Sequence, residues 1–311
     1  MFKKTITRRT FLKSTTAAAM GCFAVGTLHD GAIPAQSTEG STGNKKPVFH
    51  IGALDSVLSG DDRLSWEQAF HRAGELGFEG MELGVGKDYD QTELWNPEGR
   101  RRLRGISEAA GVLTPSICLH SYWTYSFADA NEAMRARAVR LAREAAVAAR
   151  EMGAGNILLP FTNPGSVEAG LARERWIAGM KESAPAAEEA GVVYCLENVG
   201  TSFADKPEDI LAIVDAVGSP AVKVYYDAGN AVSSGYDPLH AITLLNKRIG
   251  QVHVKEVRGH SLGDGIVPWP KIIQALRDIG YSGWFMLETD STKDPETAAR
   301  KNLETIRRLL R

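Results

Sequence analysis

Glu197, Asp227, His253 and Glu288 each close a short apolar run: VVYCLE, VKVYYD, IGQVH and GWFMLE. Three carboxylates and one imidazole make the donor set of a divalent-cation site. Oxygen and imidazole nitrogen donors suit manganese(II), magnesium, cobalt(II) or zinc and argue against copper(I) or an iron–sulfur cluster, with manganese(II) ranked first. The same groups move protons. One positioned carboxylate can remove a carbon-bound hydrogen and another can return a proton, each worth about 10²–10⁴-fold in rate. With a cation to hold a hydroxyl and a carbonyl oxygen of a sugar, the chemistry is proton transfer beside a carbonyl through an enediolate. Glu197 and Glu288 are the candidate acid/base pair, and Asp227 and His253 are mainly ligands. One acidic residue at a buried strand end is as readily a structural ion-pair partner, because an isolated buried charge is too costly. Four at successive strand ends are harder to explain that way.

The four lie about 26 to 35 residues apart, the length of one strand and one returning helix in a parallel β/α protein. The whole chain alternates in this way. Strands are expected at Val48–Leu54, Gly80–Leu83, Thr114–His120 and Asn156–Pro160. Two more end at Glu197 and Asp227, and the last are Gln251–Lys255 and Trp284–Glu288. Helices are expected between them, the clearest at Asn131–Met152, where Met134, Ala138, Leu141, Ala145, Ala149 and Met152 share one face and the arginines between them form a solvated one. Eight units point to a single (β/α)8 barrel rather than an open doubly wound sheet. No Gly-x-Gly-x-x-Gly follows the first strand, so a dinucleotide fold has little support. In a closed barrel the four residues emerge at one rim, where such barrels build their active sites.

Residues 1–35 read as an export signal rather than fold. Lys3, Lys4, Arg8, Arg9 and Lys13 precede a weakly apolar stretch, and Thr7-Arg8-Arg9-Thr10-Phe11-Leu12-Lys13 has the form of a twin-arginine signal. That predicts a periplasmic protein cleaved after Ala35. The apolar stretch is too short for a membrane span. Residues 36–46 are Ser/Thr/Gly-rich and read as a flexible linker, leaving 47–311 for the barrel. Without the leader the net charge is about −6, and no basic block remains, so a nucleic-acid partner lacks its usual footprint. Cys118 and Cys195 lie in apolar runs and read as buried thiols, a disulfide between them being the alternative. A homo-oligomer is compatible with the sequence, but no apolar stripe marks its interface.

Several motifs together resemble the xylose isomerase-like barrel superfamily, the sugar isomerases and epimerases. They are Gly77-Phe78-Glu79-Gly80-Met81-Glu82-Leu83, Leu196-Glu197-Asn198, Tyr226-Asp227-Ala228-Gly229-Asn230, Val252-His253-Val254-Lys255-Glu256, Leu262-Gly263-Asp264-Gly265 with Trp269, and Gly280-Tyr281-Ser282-Gly283 ahead of Glu288. The resemblance implies that Glu197, Asp227, His253 and Glu288 bind the metal and that the two glutamates are catalytic. It also shows departures. Ketose 3-epimerases of the superfamily usually carry another Glu six positions past the first metal Glu, where this chain has Phe203. They carry a His three past the metal Asp, where it has Asn230, and an Arg six past the metal His, where it has Gly259 with Arg258 just before. These departures touch sugar-hydroxyl contacts and put free-ketose specificity in question.

His120, Lys255, Asn230, Arg258 and Trp123 are the candidate substrate contacts. Lys255 falls on the same side of its strand as His253 and can meet a substrate oxygen or pair with Glu256 or Asp227. Trp123 and Trp269 could each be a stacking plate or core. Glu82 and His50 could pair inside the barrel, and Gly263 and Gly265 read as a rim turn rather than a phosphate cradle. His71 and His240 read as bystanders. The expected activity is a metal-dependent isomerase or epimerase of a non-phosphorylated sugar or polyol, with a small carbohydrate as partner. A lyase or dehydratase acting on a keto-sugar or 3-keto-glycoside is the runner-up, and a non-catalytic exported sugar-binding barrel is a third reading. A phosphodiesterase related to abasic-site endonucleases would need more histidines for several zinc ions.

Overall fold

The computed structural model describes residues 47–60, 63–165, 167–200, 203–259, 261–289 and 294–311. The export signal and linker expected at 1–46 lie outside them. The strands are β1 (Phe49–Leu54), β2 (Gly80–Gly84), β3 (Ser116–Cys118), β4 (Asn156–Pro160), β5 (Val193–Glu197), β6 (Val222–Asp227), β7 (Ile249–Val254) and β8 (Gly283–Leu287). Each pairs in parallel with its sequence neighbours, and β8 returns to β1, so the sheet closes into one eight-stranded barrel. Closure removes exposed strand edges and leaves near-continuous apolar strands buried on both faces.

The helices are α1 (Asp55–Ser59), α2 (Trp66–Leu76), α3 (Pro97–Ala110), α4 (Glu132–Met152), α5 (Ala169–Ala190), α6 (Pro207–Val217), α7 (Ala228–Ser233), α8 (Pro238–Leu245), α9 (Trp269–Asp278) and α10 (Pro295–Leu310). Local sequence sets their ends. Ser65 and Gln68 form a capping box at α2, and Asn96 caps α3 with Pro97 at its first turn. Gly77 and Gly153 end α2 and α4 in the left-handed region that an L side chain resists. Small residues on α4, including Ala138, Ala142, Ala145 and Ala149, are fully or almost fully buried in the core. A second apolar centre joins Tyr122, Phe127, Phe161, Trp176 and Phe203 ring to ring.

The structure corrects several expectations. β3 is shorter than Thr114–His120: Leu119 leaves the extended region, and residues His120–Trp123 form a 3-10 turn. β7 and β8 stop at Val254 and Leu287, so Lys255 and Glu288 stand just past their strands. Two short helices that periodicity did not mark, α1 and α7, follow β1 and β6 at the rim. His50 does not pair with Glu82. It pairs with Glu79 at 2.8 Å, both side chains about half exposed, because Glu82 faces the interior. Trp269 is core, 1% exposed, not a stacking plate. Cys118 and Cys195 are free and buried, which closes the disulfide alternative. Among the described residues, no helix is long and apolar enough to cross a membrane.

Candidate metal centre

The barrel brings the four strand-end residues to one point. β5 and β6 deliver Glu197 and Asp227 as their last residues, β7 delivers His253 next to its last, and Glu288 follows β8 directly. The register pairs Asp227 with His253 and places Glu197 beside Tyr225, two residues before Asp227 on the same face. One potential ligand atom from each of the four lies within 4.8 Å of all the others. His253 Nδ1 is 2.9 Å from Glu197 Oε1, 3.2 Å from Glu288 Oε2 and 4.0 Å from Asp227 Oδ2. Asp227 and His253 are fully buried, while the Glu288 side chain keeps 24% of its surface, so the cluster opens to the outside at Glu288.

Asp227 is the most constrained member. Its backbone N–H donates to Asn198 Oδ1 at 3.0 Å, and Asn198 Nδ2 donates to its carbonyl at 2.8 Å. Its Oδ1 accepts from the Asn230 N–H at 2.7 Å. Its Oδ2 is buried with no hydrogen bond of acceptable angle, although Lys255 Nζ sits 3.0 Å away. Lys255 thus offsets the charge of Asp227 without supplying a hydrogen bond to Oδ2. A buried carboxylate oxygen with no hydrogen bond, converging with three other ligand atoms, fits a divalent cation. Glu197, Asp227, His253 and Glu288 therefore suit such an ion in both donor type and convergence.

Their electrostatics divide the two glutamates. Burial, reinforced by Glu288, pushes the Glu197 carboxyl up to about 7. Burial acts on Glu288 in the same direction, but His253 and Lys255 overcome it and hold that carboxyl well below its usual range. Burial also raises Asp227. His253 loses by burial yet is held well above the ordinary imidazole range by Glu288 and Glu197. Lys255, also opposed by burial, is raised by Asp227 and Glu288. Without a metal, imidazolium and ammonium balance the carboxylates.

The secondary candidates separate. Lys255 belongs to the cluster: its Nζ is 2.8 Å from Glu288 Oε2. His120 stands at the mouth after β3, near Cys118 Sγ at 3.5 Å; burial lowers its ring, partly offset by Glu288 and Glu82. Trp123 lies beyond it, 51% exposed. Asn230 donates its side-chain amide to the Asn198 carbonyl at 2.8 Å, so it braces Asp227. Arg258 is exposed on a 3-10 turn with φ 68° and is not among the cluster's partners. Phe203, where a further glutamate was the alternative, is 1% exposed among the rings of Phe161 and Trp176. His71 and His240 lie on α2 and α8 and neither pairs with the cluster; His240 is exposed and paired with Glu208 at 2.8 Å.

Sequence reasoning gave no role to Asn198 or Asp55 at the rim, and gave Glu82 the wrong partner inside the barrel. Asn198 pins Asp227. Asp55 follows β1 as Asp227 ends β6, a signal that was legible and passed over. Glu82 meets His253 Nε2 at 3.0 Å inside the barrel. Nothing local marks that contact, because its partners lie far along the chain.

The profile of a family described as xylose isomerase-like TIM barrel matches residues 70–309. A putative L-ribulose-5-phosphate 3-epimerase, SgbU, of Escherichia coli (strain K12) is 26% identical over 267 residues, covering 79% of this chain and 91% of that protein. A crystal structure of D-psicose 3-epimerase with D-tagatose from Clostridium cellulolyticum H10 superposes with a TM-score of 0.74 at 17% identity, over 84% of this chain and 99% of that one. The apo crystal structure of the E. coli 3-keto-D-glucoside 4-epimerase YcjR gives a TM-score of 0.71 at 17% identity, with the same two coverages.

Proposed function

This chain belongs to the xylose isomerase-like TIM barrel family, and from that premise and the site's geometry we propose that it is a divalent-metal-dependent epimerase or isomerase of a non-phosphorylated sugar. One observation carries the reading: Glu197 Oε1 and Glu288 Oε2 approach the same imidazole nitrogen at 2.9 and 3.2 Å from strands separated by two others. Epimerisation needs a proton to leave one face of a carbon and arrive at the other. Two carboxylates converging from different strands are disposed to do both.

Glu197, Asp227, His253 and Glu288 would hold the cation, which when bound supplies electrostatic stabilisation of negative charge at substrate oxygens. His253 and, after it, Lys255 keep Glu288 ionised, the form that can accept a proton. Burial gives Glu197 the higher proton affinity of the two when no cation is bound, and in the loaded site it would be the carboxylate that relays the returning proton. With the opposite epimer as substrate the roles exchange. Two environments that push neighbouring carboxyls apart are the physical signature of such a division.

The loop after β7 supports a substrate without phosphate. Glu256 accepts from the Gly263 and Val267 N–H groups at 3.1 and 3.2 Å, so donors that could cradle a phosphate are already taken by a carboxylate. Gly263, at φ 87°, shapes that turn. Export by the twin-arginine signal expected at residues 1–35 would agree, since sugar phosphates are largely cytoplasmic.

The test is metal-loaded protein in D2O with a panel of free ketoses, 3-keto-glycosides and L-ribulose 5-phosphate. The expected result is one deuterium at a carbon next to the carbonyl, with an isomeric product. Loss of water or an aglycone would make the protein a lyase. Turnover of the phosphate ester alone would overturn the non-phosphorylated substrate, and no exchange with any sugar would leave a binding barrel.

A further inference from the structure

A buried chain of polar side chains crosses the barrel beneath the rim, and none of its members is a candidate ligand until it reaches His253. Cys195 on β5 lies 3.5 Å from Asn156 Oδ1 on β4, and Asn156 Nδ2 lies 2.7 Å from Gln251 Oε1 on β7. Gln251 Nε2 is 2.7 Å from Ser116 Oγ and 2.9 Å from Tyr225 OH. Both hydroxyls converge on one oxygen of Glu82, Oε2, at 2.5 and 2.9 Å. The other oxygen, Oε1, is 3.0 Å from His253 Nε2. Glu82, Ser116, Gln251 and His253 are wholly shielded from solvent, as is Tyr225.

Only one direction of donation satisfies every contact. An amide nitrogen has two hydrogens to give and no lone pair to offer. With Gln251 Nε2 donating to both hydroxyls, each hydroxyl has its own hydrogen left for Glu82 Oε2. Reversing both amides would make the hydroxyls donate to Gln251. Glu82 would then need a proton of its own, and that single proton could meet only one of the two hydroxyls, leaving lone pair against lone pair at the other. It would also leave the weakly accepting Cys195 sulfur to take an amide hydrogen. The forward direction makes Glu82 an acceptor at both oxygens, so the hydrogen between it and His253 sits on Nε2.

We propose that Glu82 is a positioning residue for the cation: by accepting the Nε2–H of His253 it fixes the ring's tautomer and leaves the Nδ1 lone pair to face Glu197, Asp227 and Glu288. Partners of this kind orient a ligating imidazole and raise its basicity. The inference rests on the metal reading of the site.

Two measurements test it. The first is the affinity of purified full-length protein and its Glu82→Gln variant for manganese(II) and zinc, by calorimetry. An amide at this position can no longer accept from both hydroxyls and the ring together, and the expected loss is about 10- to 100-fold in affinity. A merely structural role would lower the variant's thermal stability without changing the affinity of the molecules that remain folded. Equal affinity in folded Glu82→Gln overturns the proposal. The second needs no variant to fold: long-range ¹⁵N–¹H spectra of histidine-labelled wild type loaded with zinc. The expected pattern for His253 is a protonated Nε2 and an unprotonated Nδ1; a proton on Nδ1 overturns it. If wild type binds neither ion, the metal reading itself fails; if wild type binds and Glu82→Gln binds equally, only this inference does.

Discussion

The two halves of the barrel end differently. β5 to β8 finish in Glu197, Asp227, His253 and Glu288, a single cluster of charge. At the ends of β1 to β4 stand Asp55, Gly84, His120 and Pro160, which supply one carboxyl and one imidazole rather than a set of acids. Asp55 accepts from Trp66 Nε1 at 2.6 Å and from the Gly84 N–H at 3.2 Å, and burial raises its carboxyl to about 6. A methyl group on Gly84 would lie 3.0 Å from Asp55 Oδ1 and 3.2 Å from His120 Cδ2, so the glycine lets these two side chains close in around it. One half concentrates charge in the cluster proposed to hold the cation and move the proton. The other packs Asp55 and His120 round Gly84 with a single raised carboxyl, and on the proposed reading it would hold the part of the substrate that does not react.

That division can be broken first at its strongest point. Glu197→Gln should lower kcat by about 10²–10⁴-fold while leaving the fold intact, because it replaces a buried carboxyl by a neutral group of the same shape. Steady-state rates with folded, metal-loaded variant decide this; a rate within a factor of a few of wild type would remove Glu197 from the acid/base pair.

The next effect is on the metal. In the metal-free protein near neutrality, His253, held above its ordinary range, carries a proton, and Glu197, raised to about 7, is partly protonated. Ligation requires these protons to leave. Affinity should then rise with pH between 6 and 7 by about tenfold per unit for each proton released. Calorimetry in two buffers of different ionisation heat at pH 6.5 should report at least one proton per ion, and a pH-independent affinity would separate the charge cluster from metal binding. The same shifts act on metal-free stability. A folded value raised above the unfolded one means stability present below the ordinary 4.5 of Glu197 and lost as pH climbs to about 7. Glu288, lowered, contributes in the opposite sense: its share is lost on acidification.

The smallest effects belong to the opposite half. Asp55→Asn and His120→Ala should raise KM by about 3- to 10-fold, the value of one hydrogen bond to substrate, with kcat little changed. A kcat loss equal to that of Glu197→Gln would erase the distinction between the halves.

Much of this was legible because a parallel barrel repeats. Each strand is a short apolar run, each helix carries its own caps, and the last residue of a run is by construction at the rim. Glu197, Asp227 and Glu288 could be found by that rule, and Asp55 obeys it as well. Glu82 could not be placed. It sits in Gly80-Met81-Glu82-Leu83, three residues after Glu79, while its partner His253 is 171 residues away. His120 was placed on a strand that ends two residues earlier, since a 3-10 turn has no periodic signature of its own. Phe203 shows the converse: a departure from a family's polar position became part of an aromatic core.

The order of apolar runs and breakers determined the barrel, its rim and the identities of the donor atoms, because hydrophobic periodicity and turn chemistry are local and the chain carries them in full. Which oxygen meets which nitrogen was decided only in three dimensions. Barrel closure and the register of β5 to β8 set the 4.8 Å cluster, and residues from β2, β3 and β4, contributed by distant parts of the chain, set the hydrogen bonds beneath it. A hydrogen bond depends on sub-ångström position and direction, which no spacing along a chain specifies.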